Sequence, residues 1–305
     1  MYRPSNISFL RVGKNKFEKI KNMNVLSLFD GMSCGQIALN KCGIEYDNYF
    51  ASEIEEPAIK VALDNYPNTK QLGDVTKVKA EDLPQIDLLI GGSPCQTVSL
   101  ANKGGGEITE GKSSLFFEYL RILKETKPKY FLLENVPMSK KSMDTITELL
   151  GVEPIVINSN LVSLQNRKRI YWTNIPGVTQ PNDLGLKLAD LHCKEYDESL
   201  VLKGKGLNKL DRPRNRAIDI NSDKAPTLMK SQEKKPTDSV VFKQGDIYRY
   251  PTRRECELMQ TVPLNYTKAV NYRNATGMLG NGWTVDVIAH IFNQMALQKP
   301  KSVGN

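Results

Sequence analysis

From Asn24 onward, short apolar runs alternate with segments whose apolar positions recur at helical spacing. The runs lie at residues 25–29, 49–52, 86–90, 130–133, 154–157 and 170–173. The helical patterns lie at 36–41, 58–65, 114–124 and 142–150. A strand that is apolar at nearly every position is buried on both faces, and helices between such strands supply parallel crossovers. The pattern therefore predicts an α/β, Rossmann-like core. After Pro176 the character changes: residues 177–248 are polar, rich in Lys, Asp and Asn, and only weakly periodic. Helical spacing returns at 252–259 and at 284–297, where Val287, Ile288, Ile291 and Met295 recur on one face. The expected organisation is a large lobe, a small polar lobe and a last helix that returns to the first.

Composition narrows the class. Hydrophobic content of 40% and charged content of 25% over 305 residues are ordinary for a globular protein. No run approaches the roughly 18 apolar residues of a membrane span. Residues 1–22 are basic (Arg3, Arg11, Lys14, Lys16, Lys19, Lys21) and lack the apolar centre of a signal peptide. A cytoplasmic, nucleoid-associated protein without membrane contact is expected. The net charge of +8 fits a polyanionic partner without requiring one. Five scattered cysteines with no CxxC pair, and only two histidines, predict neither disulfides nor a metal site.

Candidate chemistry gathers at the expected strand ends. The first ends in Phe29-Asp30-Gly31-Met32-Ser33-Cys34-Gly35, where glycines in a strand-to-helix turn admit a ligand to the backbone. Glu53 follows the second strand, placed for ribose hydroxyls, and Asp74 follows the third, placed for an adenine edge. Together they point to an adenosine-type cofactor. The fourth strand ends in Gly91-Gly92-Ser93-Pro94-Cys95-Gln96, which puts a thiol where ligands bind in such sheets. The next ends in Leu133-Glu134-Asn135-Val136-Pro137, whose carboxyl can exchange a proton with a bound ring. Gln165-Asn166-Arg167-Lys168-Arg169 offers two arginines at alternate positions, expected to point the same way and grip a base oxygen and a phosphate. Cys34, Cys42, Cys193 and Cys256 read as small buried residues.

These motifs, in this order and at these separations, resemble the cytosine-C5 DNA methyltransferase family. So do Thr252-Arg253-Arg254-Glu255-Cys256-Glu257-Leu258-Met259-Gln260 and Gly280-Asn281-Gly282-Trp283. The resemblance spans residues 24–297 apart from 177–248. It implies a Rossmann-like core binding S-adenosyl-L-methionine (SAM) and a small target-recognition lobe. The implied boundaries are a basic extension at 1–22, a catalytic domain at 23–176 with 270–305, and a recognition domain at 177–269. Phe29, Gly31, Glu53, Ile54, Asp74 and Val75 would line the SAM site, with Asn281 and Trp283 closing it. Cys95 would be the nucleophile, Glu134 the partner of cytosine N3, and Arg167 and Arg169 the orienting guanidiniums. Pro94, Gln96, Asn135, Gln165, Arg212, Arg214 and Arg216 would contact the substrate, duplex DNA with a flipped-out cytosine. Residues 97–112, rich in glycine, read as a loop that closes over that base. Two departures, Met32-Ser33-Cys34 in place of further glycine and the bulky Trp283, resemble the branch that includes the animal de novo DNA methyltransferases. The same holds for Ser113-Ser114-Leu115-Phe116-Phe117-Glu118-Tyr119.

Rival readings are separable. The tRNA-directed branch carries a Cys-Phe-Thr signature that this sequence lacks. A non-catalytic DNA-binding regulator would not need Cys95, Glu134 and Arg169 together. A nicotinamide oxidoreductase would need a fuller glycine fingerprint. A bacterial or phage source, as for restriction-modification enzymes, is expected; the target sequence and oligomeric state are not readable, and a monomer is compatible.

Overall fold

A computed structural model of the chain describes residues 23–94, 115–191, 196–204, 207, 210, 217–232, 236–237 and 239–296. The expected basic extension at 1–22, Cys95, Gln96, the glycine-rich loop, Cys193, Arg212, Arg214 and Arg216 lie outside the described residues.

Seven strands form one sheet in the order β3-β2-β1-β4-β5-β7-β6. They are β1 (Asn24–Leu28), β2 (Asn48–Ser52), β3 (Lys70–Gln71), β4 (Leu88–Gly91), β5 (Tyr130–Asn135), β6 (Ile155–Asn158) and β7 (Lys168–Thr173). Strands β1 to β5 are mutually parallel, whereas β7 runs antiparallel to both of its neighbours. The apolar runs have the expected cause. Val25, Leu88, Ile90 and Leu132 enter the apolar cluster on one face, while Leu26, Leu28, Leu89, Phe131 and Leu133 enter the cluster on the other. Successive side chains of one strand thus fill two cores, so most positions in it are apolar.

Helices α1 (Cys34–Cys42), α2 (Glu56–Asn65), α3 (Leu115–Thr126) and α4 (Lys140–Leu150) are the crossovers. Gly43, at φ 66°, ends α1 in a left-handed turn suited to glycine. The last helix returns as expected. After α5 (Arg253–Met259) and α6 (Tyr272–Asn281), α7 (Val285–Ala296) packs on α1, burying Ile288, Ile291 and Phe292 with Ile37 and Ala38. Together with the sheet order, this makes a Rossmann-like α/β fold.

The polar stretch contains a second, three-stranded sheet: β8 (Ala217–Asp219), β9 (Val241–Gln244) and β10 (Ile247–Arg249), in the order β10-β9-β8. Val241 and Tyr248 pack with Leu200, Leu210 and Tyr250 in a small core of their own, while Phe242 of the same strand belongs to the large cluster. Residues 256–266, read from sequence as part of the small lobe, contribute Cys256, Met259, Val262 and Tyr266 to that large cluster. Cys34, Cys42 and Cys256 are buried free thiols. Burial pushes Cys34 and Cys42 up to about 12, and Cys256 well above the ordinary thiol range.

Arg249 and Glu255 join β10 to α5 and are both completely buried. The guanidinium donates from Nη1 and Nη2 to the two carboxylate oxygens at 2.7 Å each. Tyr196 and Phe242 rings flank it at 5.1 and 5.3 Å. Glu255 also accepts from the Thr252 backbone N–H at 2.6 Å, closing the N-terminal turn of α5 as a capping box. Removing one member of a dry ion pair strands the other charge. Glu255→Ala should therefore lower unfolding stability by about 3–5 kcal/mol, with Arg249→Met/Glu255→Leu costing less than either single change. Urea unfolding of Glu255→Ala, Arg249→Met, Glu255→Leu and the double variant checks this.

Candidate active site

Strand β1 lies between β2 and β4, so the chain leaves it in opposite directions and a crevice opens beyond the carboxyl ends of the parallel strands. The segment after β1 is sharply turned: Phe29, Gly31 and Ser33 have φ of 58°, 58° and 63°. Glu53, after β2, braces it. Its Oε2 accepts from the Gly31 N–H at 2.8 Å, and its Oε1 accepts from the N–H groups of Ile54 and Glu55 at 2.8 Å each. Ile54 is 70% exposed, an apolar side chain presented at the rim beside that carboxylate. Asp74, after β3, caps the turn Val75–Lys77 and accepts from the Thr76 N–H at 3.0 Å and hydroxyl at 2.9 Å. Those bonds hold its carboxyl below the usual range. Val75 is buried behind it. Of the acids in this region, Asp30 points inward. It accepts from Tyr49 Oη at 2.8 Å and from the Ser33 hydroxyl, and burial raises its pKa to about 6.

The second half of the site forms where β4, β5 and β7 end. Glu134 is 8% exposed. Its Oε1 pairs with Arg169 Nε at 3.0 Å and its Oε2 accepts from the Trp283 indole N–H at 3.1 Å. The next residue, Asn135, is buried and donates from Nδ2 to the Ser93 hydroxyl at 3.2 Å, tethering the segment that leads into Cys95. Gly92 lies against the same carboxylate: a Cβ there would sit 2.9 Å from Glu134 Oε2 and 3.0 Å from Trp283 Nε1. Cys95 itself, bonded to Pro94, and Gln96 lie outside the described residues.

The two arginines part company. Arg169 reaches Glu134, but Arg167 is buried and its guanidinium donates to three carbonyls: Leu228 at 2.9 Å, Gly280 at 3.0 Å and Gly282 at 2.8 Å. Burial pulls its pKa down to about 9, which leaves it charged at neutral pH. The expectation that the two arginines point the same way to grip a base oxygen and a phosphate is thus corrected for Arg167, whose guanidinium is turned to backbone carbonyls below the site. Gln165, expected to contact substrate, is likewise enclosed. It donates to the Met259 carbonyl at 2.7 Å and to Gln260 Oε1 at 2.9 Å, and it accepts from the Leu228 N–H at 2.9 Å. Both of its amide donors are taken within the interior. Asn281 is exposed at the end of α6.

One connection escaped sequence reasoning. Residues 228–230 run from the small lobe across α6, so close that a Cβ on Gly280 would fall 2.2 Å from the Met229 carbonyl carbon. Lys230 then pairs with Glu55 at 2.6 Å, beside Glu53 and Ile54. Only the Gly280 in the terminal motif signalled this contact.

A family model of C-5 cytosine-specific DNA methylases matches residues 23–201 and 165–297. The chain is 35% identical to the orphan methyltransferase M.Rho11sI of Bacillus phage rho11s over 218 residues, 66% of this chain and 40% of that protein. It is 38% identical to the type II methyltransferase M.NgoBV of Neisseria gonorrhoeae over 176 residues, 51% of this chain and 41% of the relative. The type II methyltransferase M1.ScrFI of Lactococcus lactis subsp. cremoris is 26% identical over 97% of this chain and 84% of its own length. The chain thus spans less than half of the length of the first two. Among solved structures, the S. pombe Dnmt2 methyltransferase superposes with a TM-score of 0.70 at 19% identity, covering 89% of this chain and 97% of that one. The Entamoeba histolytica methyltransferase EhMeth does so with 0.75 at 17%, covering 90% and 98%. At these identities the likeness is one of fold.

The raised pKa of Asp30 has a consequence for stability. The folded chain binds this proton more tightly than the unfolded chain does, so the contribution is full below about pH 4 and is lost as pH rises through about 6. Asp30→Asn should abolish that component. In urea unfolding between pH 5 and 8, the variant should gain on the wild type as pH rises; a constant difference would contradict the assignment.

Proposed function

The chain belongs to the C-5 cytosine-specific DNA methylase family, and from that premise we propose that it methylates C5 of a flipped-out cytosine in a short duplex DNA target. The family uses SAM as methyl donor. The observation that carries the reading is the Glu134 carboxylate, braced by Arg169 and Trp283 directly against the Gly92 backbone three residues before Cys95.

The residues present fit SAM. The crevice offers the carboxylates of Glu53 and Asp74 to hydroxyl and amino groups, and the exposed Ile54 to an adenine face. Phe29, Gly31, Val75, Asn281 and Trp283 complete the proposed pocket. When bound there, SAM supplies an electrophilic methyl group.

Cytosine C5 is a weak nucleophile while the ring is aromatic. In the proposed reaction the Cys95 thiolate attacks C6, breaking aromaticity and moving electron density to C5, which takes the methyl group. Glu134 meets the N3 edge and delivers a proton to N3, which neutralises the charge that develops there and is returned when the ring is restored, with Arg169 orienting the carboxyl. Removal of the C5 proton by a base then restores the double bond and expels Cys95. C5 and C6 are stacked inside a duplex, so the base must leave the helix, at a cost of about a few kcal/mol. Arg167 and Gln165 act from below by holding the segments at 228 and 280–282 in place.

The lobe at 177–269 is proposed to read the target, with Arg212, Arg214 and Arg216 facing DNA. The relatives named above come from a phage and from bacteria, and a bacterial or phage-encoded, nucleoid-associated enzyme is the corresponding proposal. Among the described residues no helix is long and apolar enough to cross a membrane.

Labelled SAM offered with duplex DNA or with tRNA tests the substrate: transfer to DNA alone is expected, and transfer to tRNA alone would overturn the reading. Cys95→Ser should lose transfer to DNA while still binding SAM, because the thiol serves the base and not the cofactor. A fully active Cys95→Ser enzyme would remove the covalent mechanism.

A further inference from the structure

Trp283 stands at the junction of the two halves of the site. Its carbonyl accepts a weak bond from the Cys34 thiol at 3.8 Å, in the first turn of α1 behind the 29–33 segment. Its indole N–H donates to Glu134 Oε2 at 3.1 Å. The residue before it is also held: the Gly282 carbonyl accepts from Arg167 Nη2 at 2.8 Å and from Gln260 Nε2 at 3.1 Å. The indole is therefore delivered to Glu134 by a backbone with little freedom to retreat.

A glutamate carboxyl turns easily about its last torsion. One donor would leave that rotation open. Here each oxygen has its own donor from a different element, Arg169 Nε from β7 on Oε1 and Trp283 Nε1 from the α6–α7 turn on Oε2. The plane of the carboxylate is thereby fixed, and each oxygen keeps a further lone pair for another partner. Gly92 adds an independent sign that this bond is built in. A Cβ at that position would lie 2.9 Å from one end of it and 3.0 Å from the other. The backbone leading to Cys95 thus rests on the Trp283–Glu134 hydrogen bond, and a side chain at Gly92 would displace one end of it.

We propose that Trp283 is a positioning residue for Glu134, its indole N–H fixing the carboxylate plane that meets cytosine N3. The role is additional to the cofactor contact proposed for the same ring, and it rests on the methyltransferase reading above.

Trp283→Phe keeps an aromatic side chain, though a smaller one, and removes the indole donor. In single-turnover methylation of a duplex, this variant should react about tenfold more slowly, the loss of one hydrogen bond to a charged group. The rate is read at saturating SAM, so that any weakening of the cofactor contact by the smaller ring does not enter it. In a Glu134→Gln background the same change should alter the rate by less than about twofold, since a residue acting through Glu134 has nothing further to lose. A second readout needs no activity. Glu134→Gln should shift the tryptophan emission of the wild type but not that of Trp283→Phe, in which Trp172 is the remaining tryptophan.

An unchanged rate in Trp283→Phe would overturn the proposal. So would an equal loss in both backgrounds, or a loss confined to the KM for SAM. A wild type inactive on every duplex would sink the methyltransferase reading instead, and the emission pair would then decide the Trp283–Glu134 contact by itself.

Discussion

The reversal of one strand sets where everything in the site can be. Because β7 runs antiparallel to β5, its first residues lie beside the last residues of β5, at the same edge of the sheet as the ends of β1 and β4. Glu134 pairs with Tyr171 across that interface. Paired residues share a face of the sheet, and so does Arg169, two positions before Tyr171. The ion pair between Arg169 and Glu134 is the direct result. A parallel β7 would begin at the far edge, and a slip of one residue would turn Arg169 to the opposite face.

Beneath this edge the two lobes are joined by polar groups in a dry interior. Arg167 carries its charge into the core and satisfies it on carbonyls from residues 228, 280 and 282, while Gln165 bonds the N–H of 228 and the end of α5. A buried charge of this kind is costly unless its donors are met. Here three N–H groups are met while Nε has no partner among the described residues, and the segments that supply the carbonyls are held in register by them. The close approach of Met229 to Gly280 follows from that arrangement and carries the small lobe to the rim of the crevice, where Lys230 meets Glu55. The small lobe and the crevice are thus mechanically continuous.

The strands visible in the sequence were those with runs of apolar residues long enough to stand out, as in β1, β4 and β5, whose side chains feed the clusters on both faces of the sheet. The two-residue β3 and the strands β8 to β10, of three or four residues with partly exposed positions, are too short to show a period, and their region read as irregular. Glu134, Asn135 and Arg169 were legible because each sits in a local motif at a strand end. The destinations of Arg167 and Gln165 were not, because a carbonyl acceptor leaves no mark in a sequence. Nor was the bond between Trp283 and Glu134, which joins residues 149 positions apart. Alternation predicts the face to which a side chain points, but the partner that claims it is set by packing.

If Cys95 forms the proposed bond to the target base, the most direct test of it is chemical. A duplex carrying 5-fluorocytosine at the target position blocks the final step, because fluorine cannot leave C5 as a proton does. Incubation with SAM, digestion and mass mapping of the adduct should place the modified nucleotide on the peptide that contains Cys95. An adduct on any other cysteine, or methylated DNA with no adduct formed, would contradict the account.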